Sequence, residues 1–179
     1  MRHLGRLLAA SPSQKDPFWS KAVVWLYEYS QGNYAGLIIN KPSVKTCEDL
    51  AQHHGIKWPS NEPLFVGGPV NPSALILQHT GDWRTPNTQY ITGSDICLSS
   101  HKSMLTRLSS VDQPESWRLL LGYCAWTPGQ LEAELKRTDW VIADFNSDLI
   151  WDRRRPEVIW HQCVEQAAQQ TVDKLFEIQ

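Results

Sequence analysis

Residues 121–143 read LGYCAWTPGQLEAELKRTDWVIA, and their organisation decides the fold. The block opens with the end of an apolar run, Trp117 to Tyr123 (WRLLLGY), that reads as a core strand. Thr127 then fits an N-cap, Pro128 the first helical position and Gln130 the third, which is a capping box with proline where its missing donor costs nothing. Leu131 and Leu135 stand four apart on one helical face, and Trp140 to Ala143 (WVIA) returns as a strand.

Working outward, Ala22 to Tyr29 (AVVWLYEY) and Tyr34 to Asn40 (YAGLIIN) have strand composition. The loop Ser30-Gln31-Gly32-Asn33 between them predicts a hairpin, and Pro42, which has no ladder donor, is expected to stop the second strand. Leu4 to Ala10 reads as an apolar stretch ending at the turn Ser11-Pro12. Thr46 is a good N-cap for a short helix over Cys47 to His54, and the negative end of its dipole accounts for His53 and His54 without a metal. Pro63 to Val66, Ala74 to His79, Gln89 to Thr92 and Asp95 to Ser99 read as strands. His101 to Leu108, Asn146 to Trp151 and Val158 to Phe176 read as helices. Strands and helices mix without regular βαβ alternation, which argues α+β. The 179 residues suit one domain over 1–179.

The chain carries 17 basic and 19 acidic residues, a net charge of −2. Up to residue 90 there are 8 basic and 6 acidic residues, and 9 and 13 follow. Neither half has the excess of cations that neutralises nucleic-acid phosphates, so direct nucleic-acid binding is disfavoured. Arg153-Arg154-Arg155 reads as a solvated turn partly paired with Asp152 and Glu157. Cys47, Cys97, Cys124 and Cys163 form no CxxC pair, so a zinc ribbon and a thioredoxin motif are absent, and reduced, buried thiols are expected. No apolar run approaches the roughly 20 residues that span a bilayer. The expectation is a soluble protein without membrane attachment, metal or cofactor.

No GxGxxG, Walker A, HExxH or GxSxG motif is present. Gly67-Gly68-Pro69 reads as a tight turn needing glycine dihedrals, with close approach to a ligand as the alternative. His79 ends a strand and could serve as a base, although spacing links no nucleophile to it; it also reads as a satisfied core histidine. Cys124 precedes a helix start, where a thiol pKa can be lowered, and is the redox candidate. The nine tryptophans are dispersed and read as core; an exposed contiguous patch of them would instead mark an accessory subunit.

Four blocks in order, LLAASPSQKDPFWSKAVVWLYE (7–28), AGLIINKP (35–42), LFVGGPV (64–70) and LGYCAWTPGQLEAELKRTDW (121–140), resemble the AlgH family, also known as YqgE. The resemblance implies an α+β domain with a mixed, flattened barrel-like β-structure surrounded by helices. It also implies a cytoplasmic protein, sometimes described as a transcriptional regulator, and supplies no catalytic residues. Tyr29 stands where a histidine is common, Cys124, Ala125 and Thr127 replace small residues, and the helical tail from about 153 is less recognisable.

The functional expectation is a non-enzymatic regulator acting through protein partners. The alternative is a small-ligand or anion-binding protein, or an enzyme, with a site near the three glycine- and proline-rich blocks. Asn40, Lys41, Gly67, Gly68, His79, Tyr123, Trp126 and Gln130 are its candidate ligand-binding residues. Lys41 would supply positive charge, Asn40 directional hydrogen bonds, and the helix start near Pro128 free N–H groups.

Overall fold

A computed structural model describes residues 2–177. In chain order the strands are β1 (Leu7–Ala10), β2 (Val23–Ser30), β3 (Asn33–Ile38), β4 (Pro42–Thr46), β5 (Pro63–Val66), β6 (Val70–Thr80), β7 (Gln89–Tyr90), β8 (Ile96–Ser99), β9 (Trp117–Trp126) and β10 (Trp140–Ala143). The helices are α1 (Cys47–His53), α2 (Met104–Leu108), α3 (Gln130–Lys136), α4 (Ser147–Trp151) and α5 (Pro156–Phe176). The class is α+β, as the sequence leads one to expect. The chain divides into two compact units, residues 1–41 with 124–179, and residues 42–123.

In the first unit the antiparallel order is β10-β1-β2-β3, with the last three residues of β9 alongside β3. Every β1 residue is buried, which suits a short strand held between two neighbours. Leu8, Val24, Leu26, Ile38, Trp126, Leu131 and Trp140 form the core. Full burial of each aliphatic side chain contributes about 1.5–3 kcal/mol. Helix α5 buries Ile159, Cys163 and Ala167, spaced four apart on one face. It is also tied to β1 by the Trp160 indole, whose N–H donates to the Ala10 carbonyl at 2.8 Å.

In the second unit the first seven residues of β9 pair with β6 antiparallel and β5 parallel; β8 and β7 continue from β6, and β4 pairs with β5. Trp58, Leu64, Leu77, Trp83, Met104, Leu108, Trp117 and Leu119 fill its core. None of the nine tryptophans in the chain is exposed, so no surface tryptophan patch exists.

Several boundaries move from their expected places for local reasons. Thr46 does cap α1 with a capping box: its hydroxyl accepts from Asp49 N–H at 3.1 Å, and its own N–H donates to the Asp49 carboxylate at 2.7 Å. Pro42 does not end a strand but begins β4, a position that needs no donor from it. Helix α2 starts at Met104, not His101, because the Ser103 hydroxyl is bonded to His101 Nδ1 at 2.8 Å instead of capping the helix. Thr127 is not the N-cap of α3. The Gln130 side chain reaches back to the Thr127 N–H at 3.1 Å and closes a turn, so the helix begins only after Gly129, which sits at φ +80°.

The Gly67-Gly68-Pro69 turn also differs in cause. Neither glycine lies among the positive-φ residues described. The position that requires glycine is Gly122, opposite them on β9: its φ is +71°, and a Cβ there would collide with the Gly68 carbonyl oxygen. Gly67 N–H meanwhile donates to the Leu121 carbonyl at 2.8 Å, which holds the segment against the strand. Substituting Gly122→Ala is therefore expected to destabilise the protein by more than about 1 kcal/mol, read as a lowered thermal midpoint. An unchanged midpoint would contradict this steric account.

Candidate functional site

The candidate residues fall into three arrangements. The first centres on Asn40, which is 2% exposed. Its Oδ1 accepts from Val23 N–H at 2.8 Å, and its Nδ2 donates to the carbonyls of Lys21 at 2.9 Å and Pro156 at 3.1 Å. The carboxamide thus holds the start of β2, the Lys21 residue at φ +57° and the first turn of α5. Lys41 beside it donates to the Phe18 carbonyl and lies 3.7 Å from that ring's centroid. Burial lowers the Lys41 pKa, with nearby Asp16 opposing. Cys124 lies inside β9, opposite Gly36, and not at a helix start. Burial pushes its thiol pKa up, the reverse of the lowering expected for a redox site. All four cysteines are thiols and buried. Burial likewise pushes Cys163 up to about 12.

The second arrangement gathers on a residue the sequence reading missed. Glu134 Oε2 accepts the indole N–H of Trp126 and of Trp140, each at 2.8 Å, and Oε1 accepts Gln130 Nε2 at 2.9 Å. The two indoles meet edge to face at 6.2 Å. The Gln130–Glu134 spacing of four along α3 was the available signal. The contacts to the tryptophans join residues 6 and 8 positions apart, which periodicity does not predict.

The third arrangement lies in the second unit. His79 Nδ1 is 2.8 Å from the Thr80 carbonyl oxygen, which can only accept, so Nδ1 carries the proton. Nε2 then accepts from the Ser99 hydroxyl at 2.9 Å, and the Thr88 hydroxyl donates to Ser99 Oγ at 2.7 Å. Thr85 N–H donates to Thr88 Oγ1 at 2.7 Å and completes the chain. Trp83 covers the imidazole edge to face at 5.2 Å, and the Arg107 guanidinium lies over Trp83. A hydroxyl donating to a histidine of fixed tautomer is how a nucleophile and its base are paired. Here, however, His79 is fully enclosed and Ser99 is 2% exposed. Sequence spacing could not supply Ser99, because the pair forms across the β6–β8 register.

Gly67, Gly68 and Tyr123 sit together at the far end of β6, where Val70 pairs with Tyr123. His79 pairs with Trp117, six residues along β9 from that point. The predicted set is therefore not one cluster within the second unit. Among the described residues no group of three or more His, Cys, Asp or Glu is placed to hold a metal. Arg154 in the basic run is bidentate on Asp152 and also bonds Gln162. No helix among the described residues is long and apolar enough to cross a membrane.

A family model described as AlgH-like matches residues 7–171. The chain belongs to the AlgH-like family. The match runs well into α5, beyond the blocks that carried the resemblance. UPF0301 proteins are similar over most of their length. That of Shewanella loihica is 33% identical over 165 residues, covering 89% of this chain and 88% of the relative. That of Marinomonas sp. strain MWYL1 is 32% identical over 148 residues, covering 80% and 78%. The solution structure of the AlgH protein from Pseudomonas aeruginosa superposes with a TM-score of 0.74 at 25% identity, over 89% of this chain and 86% of that one. The protein DIP2367 from Corynebacterium diphtheriae shares the fold, with a TM-score of 0.65 at 20% identity over 81% and 77%. The biochemical role of the AlgH-like family is uncharacterised, so the comparisons establish family and fold.

Burial lowers the His79 pKa below its ordinary 6.5, which ties the third arrangement to pH. The unfolded chain then binds the proton more readily than the folded one. His79 therefore adds full stability above about pH 6.5, lost as pH falls through that value towards the folded pKa. Thermal midpoints measured from about pH 7.5 down to 5 should fall more steeply for the wild type than for His79→Gln. Parallel slopes would count against a buried neutral imidazole.

Proposed function

We propose that this AlgH-like protein is a non-enzymatic regulator that works in the cytoplasm through a protein partner, with transcription as the regulated process. The observation that carries the reading is the end of α5. From Thr171 to Glu177 every residue is exposed, and Val172, Leu175 and Phe176 present 43%, 64% and 72% of their surfaces to solvent. Spaced three and four apart, they make an apolar helical surface of the kind that seats in a groove on another protein. The acidic balance of the chain weighs against gripping DNA directly. The enclosed settings of His79, Asn40 and Cys124 also favour binding over catalysis.

The test compares affinity capture from native cells by the wild type and by Leu175→Ser/Phe176→Ser, with mass spectrometry of the retained proteins. The reading expects a partner retained by the wild type at high salt and lost with the variant. Retention of the same proteins by both, or recovery only of nucleic acid that washes off steeply with salt, would contradict it.

A second reading rests on the His79–Ser99 pair: acyl transfer with Ser99 as nucleophile and His79 as base. It requires an opening that exposes Ser99. A fluorophosphonate that labels the native wild type but not Ser99→Ala would establish it, and the regulator reading expects no labelling.

A further inference from the structure

A cleft of about 590 Å³ in the first unit takes no part in the arrangements above; Arg2, Arg6 and Lys174 line it together with Ile142, Val164 and Ala168. Its size lies within the roughly 300–1,000 Å³ of pockets that take small organic ligands. Its walls have two characters. Ile142 from β10 and Val164 and Ala168 from α5 supply apolar surface, and the last two are four apart on one helical face. Arg2, Arg6 and Lys174 supply positive charge, and His3 and Thr171 add polar groups. Arg6 is already engaged: its guanidinium meets the Asp144 carboxylate at 2.7 Å, and Nε donates to the Ala143 carbonyl at 3.2 Å. Arg6 is thereby fixed in place and largely neutralised. The side chains of Arg2 and Lys174 form no ion pair among the described residues. Two uncompensated positive charges, drawn from opposite ends of the chain, thus border a partly apolar cavity.

We propose that this cleft binds a small organic anion, a phosphate or carboxylate joined to an apolar body. The anionic group pairs with Arg2 and Lys174, and the body lies along Ile142, Val164 and Ala168. Charge-assisted hydrogen bonds supply orientation, and removal of the apolar portion from water supplies much of the affinity. A phosphate monoester, carrying up to two charges, complements the two cations better than a carboxylate does. The proposal goes beyond the partner reading and does not depend on it.

The test is isothermal titration of the full-length protein with octyl phosphate and with octanoate, beside inorganic phosphate and octanol. Octyl phosphate should bind, octanoate more weakly, and the two fragments at least about tenfold more weakly than octyl phosphate. Arg2→Gln/Lys174→Gln should weaken octyl phosphate by at least about tenfold, whereas Lys102→Gln/Lys136→Gln, an equal loss of charge at exposed residues that do not line the cleft, should leave it unchanged. Ala168→Trp, at an exposed helical position, should fill the cleft and abolish binding with the circular dichroism spectrum preserved. The proposal is overturned if neither amphiphile binds the wild type. It is equally overturned if octyl phosphate binds the double variant and Ala168→Trp as it binds the wild type, or if inorganic phosphate binds as tightly as octyl phosphate.

Discussion

A buried carboxamide that must place all its hydrogen bonds sets the geometry on which the first unit depends. Asn40 has two donors and an acceptor inside protein, away from water, and an unmet buried polar group costs about 1–3 kcal/mol. It meets that demand through Val23, Lys21 and Pro156, which lie 17, 19 and 116 residues away. The entry to β2, the left-handed residue before it and the start of α5 are thereby referred to one side chain. Alanine would leave one N–H and two carbonyls without these bonds. A ligand competing for Asn40 would have to break them first.

The same constraint recurs wherever the sequence looks chemical. Glu134 satisfies the N–H groups of two buried indoles that would otherwise be orphaned, and it also accepts from the exposed Gln130 amide. His79 and Ser99 satisfy one another and are continued by Thr88 and Thr85. Within such closed networks each group has its partner, and low dielectric makes the loss of any member expensive. Exposed apolar and charged groups outside these networks include the end of α5 and the cleft bordered by Arg2 and Lys174. The two recognition surfaces we propose therefore consist of residues that carry no motif.

What was legible in the sequence was local. The Thr46 cap, the β2–β3 hairpin and the apolar β9 run are set by residues within a few positions of one another, and each is found. The turn at Gly67-Gly68 was visible, but its cause was not: the steric demand falls on Gly122, more than fifty residues later, because that is where the chain passes. The α3 start was misplaced because the side chain of Gln130, the first helical residue, turns back to accept from Thr127, a turn in which Gly129 takes φ +80°. Ser99 and Glu134 were missed because strand register and indole orientation decide their contacts. The family was legible because four short blocks keep their order. Its function was not, because those blocks encode turns and packing.

The central claim is that Asn40 is a structural bridge and not a ligand contact, and Asn40→Asp tests it most directly. The substituted carboxylate is nearly the same size and can still accept from Val23, but it points an oxygen at two carbonyls and carries a buried charge. Denaturant unfolding should show a loss of about 2–5 kcal/mol relative to the wild type. Stability within about 0.5 kcal/mol of the wild type, together with a lost binding activity, would contradict the account.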